Sequence, residues 1–214
     1  MKTLLYKQLR LVCHPMTLVF CLFGGMILIP NYPYSVTFFY VTLGLFFTFL
    51  NMREQKDVYY SALLPIRKRD TVRAAVVFTV LVEVLSVVIT GLFCLLSAKL
   101  QPGKDNAVGM DGNLMLLGVG FLLYGVSNLV FFISLYRSGY KVGAAYLKAN
   151  LAMWPLMLAA EASVHVPGLA WLNRVDAQAN LRQLPILLAG MALFAVLTLL
   201  AYRRAAQLYE RVDL

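Results

Sequence analysis

Two carboxyl groups interrupt segments that are otherwise strongly apolar. Glu83 lies near the middle of one segment, and Glu161 lies close to the end of another. If these segments cross a bilayer, a charge near its centre costs about 2.5–3.5 kcal/mol, so Glu83 must face protein or water, or be protonated. Each carboxyl group either lines a path for a cationic substrate or bonds to a neighbouring helix. Asn128 is a candidate partner for Glu83, and nearby water favours the bonding role for Glu161. The candidate path residues are therefore Glu83, Asn128 and Glu161.

The most informative polar segment is 51–70, which mixes charges of both signs with tyrosine and leucine. Its spacing predicts a short helix that Pro65 ends. One interpretation places this helix in the membrane interface, with tyrosine and leucine among the lipid headgroups. We favour a second interpretation, in which the helix binds a cytoplasmic partner through apolar anchors and a polar rim. The predicted docking residues are Glu54, Asp57, Tyr59, Tyr60, Leu63 and Arg67.

The chain lacks the sequence motifs of several common classes of enzyme. The chain has no G-x-x-x-x-G-K-[ST] phosphate loop, no H-E-x-x-H zinc motif and no G-x-S-x-G motif. Its three cysteines show no C-x-x-C spacing. Four polar residues between two apolar segments lack calcium-loop spacing and are interpreted as solvated: Asp105, Asn106, Asp111 and Asn113. We therefore expect no catalytic residue, metal site or cofactor in this chain.

The composition indicates that these residues belong to a membrane protein. The chain has 214 residues, of which 61% are hydrophobic and 14% charged, and its mean hydropathy is +0.74. Soluble domains usually carry about a quarter charged residues. A spanning helix needs roughly 20 apolar residues, so this length allows about six spans and no separate globular domain. We predict one all-α transmembrane domain over residues 1–214.

The apolar segments predict six transmembrane helices that follow an amphipathic interfacial helix over residues 1–15. The predicted spans are about 16–29, 35–52, 71–98, 113–135, 143–163 and 184–202. Segment 164–183 is predicted to be a loop, with Pro167-Gly168 and Pro185 as breaks, and residues 203–214 are predicted to form a polar tail. The third span is long enough to tilt or to project from the bilayer.

The distribution of positive charge predicts the orientation. Four of the 19 Lys and Arg residues fall on one side of the predicted membrane: Lys99, Lys104, Arg174 and Arg182. The remaining fifteen fall on the other side together with both termini. Loops rich in Lys and Arg stay in the cytoplasm, so both termini are predicted to be cytoplasmic. The net charge of +9 then reflects topology, and no nucleic-acid partner is expected.

Short motifs along the whole chain resemble the small permease subunits of bacterial type-2 ABC exporters. The motifs are Leu4-Leu-Tyr-Lys-Gln-Leu-Arg10, Ile29-Pro-Asn-Tyr-Pro-Tyr34, Ala62-Leu-Leu-Pro-Ile-Arg-Lys-Arg-Asp70, Tyr140-Lys-Val-Gly143 and Tyr202-Arg-Arg with Glu210-Arg-Val-Asp-Leu214. The resemblance implies that two six-helix subunits pair, and that each rests on a separate ATPase that binds ATP and Mg²⁺. It also implies a coupling helix over residues 54–64 and short helices on the outer face in segment 164–183.

The resemblance further implies export of amphipathic or antimicrobial peptides, or of related hydrophobic cargo, across the bacterial plasma membrane, or self-protection against such peptides. We expect alternating access, in which ATP binding moves the coupling helices and repacks the two bundles around a central path. Two other functions stay open. One is a membrane scaffold or sensor that transports nothing and binds a signalling partner at 51–70. The other is an ion-coupled transporter that uses Glu83 as its proton site.

Overall fold

A computed structural model describes residues 2–101 and 106–211, and every regular element within these ranges is helical. This confirms the predicted all-α class. The α-helices are α1 (Lys2–Lys7), α2 (Pro15–Cys21), α3 (Val36–Glu54), α4 (Asp57–Leu63), α5 (Lys68–Leu100), α6 (Leu114–Arg137), α7 (Val142–Ser163) and α8 (Ala177–Glu210). Residues 1, 102–105 and 212–214 lie outside the described ranges. They include Lys104 and Asp105, which the sequence analysis assigned to a loop.

The amino-terminal region is more broken than the sequence predicts. A π-helical turn over Gln8–Val12 follows α1, and a 3₁₀ segment over Leu22–Leu28 follows α2. The axes of 3–12 and 15–28 meet at 91°. His14 ends the first part and caps the second, because its Nδ1 accepts a hydrogen bond from the Met16 amide at 3.2 Å. Residues 2–12 are thus helical and the chain turns at Cys13 and His14, close to the predicted boundary between the first helix and the first span, and an interfacial position for this helix stays a prediction.

α5 and α8 extend beyond their predicted spans. α8 begins at Ala177, so Pro185 lies inside it and does not break it. The Gln183 amide donates to the carbonyl groups of Leu172 and Arg174 at 3.0 and 2.9 Å, which holds this polar start of α8 against the preceding loop. At its other end α8 continues to Glu210, where the predicted polar tail is helical. These tertiary contacts leave no periodic signal in the sequence.

The closest helix packing joins α6 and α8 through glycines. A methyl group at Gly190 would collide with the backbone carbonyl of Gly118. A methyl group at Gly125 would lie 3.0 Å from the Cα of Phe194. Small residues allow two backbones to approach, which is the usual way that helices associate in lipid. This pair gives the bundle a rigid centre against which α5 and α7 pack.

Four helices are long and apolar enough to cross a membrane: α3, α5, α6 and α8 from Gln178. The bent pair 3–12 and 15–28 makes a fifth candidate if it counts as one span. α7 contains Lys148, Asn150 and Glu161 and falls outside this set. The chain is therefore a multi-pass helical protein with four to five candidate spans in its described residues, and six spans stay a prediction.

The two ends of the bundle differ in charge. We call the end formed by residues 2–14, 51–70, 136–142 and 203–211 the basic end. We call the end formed by residues 29–35, 106–113 and 161–183 the capped end. α3, α5, α6, α7 and α8 run between them in alternating directions.

Candidate functional site

α4 is a short helix at the basic end, between α3 and α5. Lys56 adopts a left-handed conformation, with φ of 52°, and this reverses the chain after α3. Leu64 is extended, as expected for a residue that precedes a proline, and so α4 ends at Leu63. The helix bounds therefore follow from local chemistry. α4 lies within the predicted helix over 54–64 but begins three residues later, because Glu54 ends α3.

One lysine attaches α4 to the amino-terminal helix. Lys7 Nζ lies 2.8 Å from Asp57 Oδ1 and donates to Ser61 Oγ at 2.8 Å. Asp57 and Ser61 are one turn apart on the same face of α4. The Asp57 side chain is only 13% exposed. The structure thus places Asp57, one of the predicted docking residues, in an internal ion pair.

The opposite face of α4 carries apolar side chains that contact little else. Tyr59, Tyr60 and Leu63 are 55%, 62% and 67% exposed, and the two tyrosine rings lie 6.2 Å apart. Glu54 and Arg67, at the two borders of this connection, are also exposed. Large exposed apolar side chains grouped at a charged end of a membrane protein are suited to contact either a partner protein or lipid headgroups. We call Tyr59, Tyr60 and Leu63 the docking face.

Glu83 is buried in the middle of the bundle. Its Oε2 accepts a hydrogen bond from Asn128 Nδ2 at 2.8 Å, and Asn128 also donates to Thr198 Oγ1 at 3.2 Å. These three residues connect α5, α6 and α8. Within the described ranges Glu83 Oε1 has no hydrogen-bond partner. It borders a cavity with about 20 Å³ of space for water, enough for roughly one molecule.

Glu161 lies apart from this group, at the capped end. Its Oε2 accepts from the Met110 amide at 2.7 Å, and its Oε1 accepts from both the amide and the hydroxyl of Ser35. The carboxylate thereby joins α7 to the start of α3 and to segment 106–113. Gly109 is needed beside it, because a methyl group there would collide with the carboxylate. The structure brings Glu83 and Asn128 together and separates them from Glu161.

The interpretation of the capped-end residues as solvated is wrong for the three that the structure describes. Asn106, Asp111 and Asn113 are each about 95% buried. Asn113 caps α6 by accepting from the Leu116 amide at 3.1 Å, and it donates to the Leu172 carbonyl at 2.8 Å. Asn106 donates to the carbonyl groups of Tyr32 and Met110. Buried backbone groups need such partners, and these side chains supply them.

The electrostatics of the capped end follow from this burial. Burial raises the pKa of the Tyr34 hydroxyl, and the nearby Asp111 carboxylate raises it further. Tyr34 therefore stays neutral and donates to the Ile29 carbonyl at 3.0 Å.

Four positioning residues are not evident from the sequence: Lys7, Ser61, Thr198 and Gln183. The partners of Lys7 and Thr198 lie 50 or more positions away, and those of Gln183 lie outside its own helix, so no periodic spacing indicates them.

A bundle of long apolar helices, with a small exposed helix at one end and a buried carboxyl group in its core, defines a multi-pass membrane protein. The sequence matches the family described as ABC-2 family transporter protein over residues 3–210, which is nearly the whole chain. The chain belongs to this family, and it is the membrane permease of an ABC transporter. Membership implies association with a membrane and with an ABC ATPase. No curated protein and no solved structure shows significant similarity to the chain.

Proposed function

We propose that this chain is the membrane-spanning permease subunit of an ATP-driven exporter in the bacterial plasma membrane, with both termini in the cytoplasm. The subunit pairs with a second permease subunit, identical or different. A separate ATPase subunit, which binds ATP and Mg²⁺, docks on each permease, and the permease itself has no catalytic role. The cargo is an amphipathic or antimicrobial peptide or a related hydrophobic compound, and it crosses by alternating access.

The observation that carries this proposal is the exposed docking face on α4. The Lys7 ion pair fixes one side of α4 to the amino-terminal helix, which leaves Tyr59, Tyr60 and Leu63 directed outwards. A helix that is held on one side and apolar on the other suits the transfer of motion from a partner to the bundle. α4 then acts as the coupling helix, and α1 as the interfacial helix that supports it.

The direct test is the triple substitution Tyr59→Glu, Tyr60→Glu and Leu63→Glu. Buried apolar anchors dominate protein interfaces, so we expect ATPase co-purification to fall by about 100-fold or more and transport-coupled hydrolysis to be lost. The matched control places three glutamates on exposed apolar positions at the capped end: Val108→Glu, Val166→Glu and Leu169→Glu. Unchanged association in the first variant, or equal loss in the control, contradicts the proposal.

A second candidate function rests on the unpartnered Oε1 of Glu83. A buried carboxyl group beside a water-sized cavity is suited to exchange a proton, as an ion-coupled transporter requires. Glu83→Gln keeps the shape of the side chain and removes the titratable group. If the chain is an ATP-driven permease, this variant transports within about twofold of the natural protein. Transport that persists without ATP, and that collapses both in this variant and without a proton gradient, favours the ion-coupled function.

A further inference from the structure

Three arginines form a second feature of the basic end, away from α4. Arg137, Arg204 and Arg211 border a cavity of about 320 Å³ between the ends of α6 and α8, with Ile133, Gln207 and Leu208 as the other lining residues. All three arginines are exposed. Within the described residues none of them makes an ion pair or a hydrogen bond. The neighbouring carboxylate, Glu210, is bonded to Arg69 on α5. The cavity therefore has a concentrated positive charge that the described residues do not neutralise.

The cavity continues an apolar stripe along α8. Leu200 and Leu193 lie one and three turns before Arg204 on the same helical face, and they are 43% and 45% exposed. On α6, Ile133 lies one turn before Arg137. A helix face that is apolar along its length and cationic at its end is typical of a helix that leaves hydrocarbon and enters the headgroup layer.

From this arrangement we infer that Arg137, Arg204 and Arg211 bind the phosphate of an anionic phospholipid in the leaflet at the basic end. Each guanidinium group can donate two parallel hydrogen bonds to the oxygens of a phosphate. Three arginines on two helices can therefore surround one headgroup. Ile133 and Leu208 form an apolar floor where the acyl chains begin. Basic pockets between transmembrane helices at the cytoplasmic side are suited to such lipids. A free phosphate ion would use the charge but not the stripe, and so the lipid fits the whole surface better.

The phosphate of a bound lipid would bridge the arginines at the ends of α6 and α8. The glycine contacts of these two helices lie in the middle of the pair and towards the capped end, at Gly118, Gly125 and Gly190. The lipid would therefore hold together the part of the pair where three like charges repel each other. This role is independent of ATPase docking, because the α4 docking face shares no residue with the cavity.

The test measures binding of dioctanoyl phosphatidylglycerol to the purified full chain by native mass spectrometry, with dioctanoyl phosphatidylcholine as the neutral comparison. In the triple variant that combines Arg137→Gln, Arg204→Gln and Arg211→Gln, we expect the affinity for phosphatidylglycerol to fall by about tenfold or more. Replacing the same arginines with lysine keeps the charge and removes the paired donors, so we expect a decrease of about two- to fivefold. The matched control is a second triple variant, Arg53→Gln, Lys141→Gln and Arg203→Gln. It removes the same charge at the same end, and its affinity for phosphatidylglycerol should stay within about twofold of that of the natural chain.

Circular dichroism and gel filtration establish that each variant is folded. Four results would overturn the inference. The first is a glutamine variant that binds phosphatidylglycerol with the affinity of the natural chain. The second is a control variant that loses as much affinity as the glutamine variant. In the third, inorganic phosphate, at matched ionic strength, displaces the bound dioctanoyl phosphatidylglycerol as well as a phosphatidylglycerol of different mass does, which identifies a free-anion site. In the fourth, the glutamine variant loses ATPase association while its lipid affinity is unchanged, which identifies a protein interface.

Discussion

At the capped end, polar side chains are buried and bonded to the backbone of the connecting segments, whereas at the basic end several large side chains and charges are exposed. Asn106, Asn113 and Glu161 each bind two or more groups at the capped end. At the basic end, Tyr59 and Leu63 are more than half exposed. Both ends connect helices of the same bundle, so the connection itself does not require either arrangement.

Apolar side chains are exposed at both ends, and those at the capped end include Leu181 and Val108. The difference therefore lies in the polar groups and in the grouping of Tyr59, Tyr60 and Leu63 on one short helix. A buried polar group costs free energy unless it is bonded, and the capped end meets this requirement with its own residues. The exposed apolar side chains of the basic end lose nothing when a second protein covers them. Substitutions at the capped end should therefore reduce stability, and substitutions at the basic end should reduce association. The predictions below test this division in order of decreasing effect on stability.

The largest loss of stability is expected for Glu161→Ala. The substitution leaves the amides of Ser35 and Met110 without their acceptor in a partly buried site, which costs about 2–4 kcal/mol in the free energy of unfolding. Denaturant titration in mixed micelles measures this change. The control is Asp176→Ala, an exposed carboxylate at the same end that makes no cap bond, with an expected change within about 0.5 kcal/mol. Equal effects of the two substitutions would contradict the structural role of Glu161.

Asn113→Ala is expected to have the next largest effect. It removes the cap of α6 and leaves the Leu172 carbonyl without its donor, at a cost of about 1–2 kcal/mol. The same titration measures the loss, and ATPase association should not change once the protein is folded. Arg174→Ala serves as the comparison, because the Arg174 side chain is exposed and only its backbone carbonyl takes part in the network. A solvated Asn113, as the sequence suggested, would show no loss.

Lys7→Met should separate stability from coupling at the basic end. The Lys7 and Asp57 side chains are only 22% and 13% exposed, so the substitution leaves a mostly buried carboxylate without its cation and costs about 1–2 kcal/mol in the free energy of unfolding. The attachment of α4 is lost, however, and we expect faster hydrogen exchange over 57–63 together with weaker transport-coupled hydrolysis. The control is Arg10→Met, a cation in the adjoining turn that bonds only to Tyr6 among the residues that the structure describes. Unchanged transport-coupled hydrolysis in Lys7→Met would show that the Lys7 attachment of α4 is not needed for coupling.

Much of this arrangement can be predicted from the sequence, and the residues that fail do so for a common reason. Apolar periodicity locates the long helices, and Pro65 with its preceding residue fixes the end of α4. The exposed anchors Tyr59, Tyr60 and Leu63 follow from their position in a polar segment. Each of these features depends on residues within a few turns of one another.

The errors arise where distant residues meet. Asn113 is bonded to the Leu172 carbonyl, a partner 59 positions away, and so its burial has no local signature. Pro185 was predicted to break the chain, yet Gln183 holds this region of α8 against residues 172–174. Side-chain bonds to distant backbone groups thus decide the helix ends that periodicity cannot locate.

The most direct measurement is photo-cross-linking from the two ends of the complex. A benzoylphenylalanine at position 60, in place of Tyr60, lies on the docking face, and one at position 166, in place of Val166, lies at the capped end. We predict an ATP-sensitive cross-link to the ATPase from position 60 and none from position 166. A cross-link to the ATPase from position 166, or none from position 60 in an intact complex, would contradict the account.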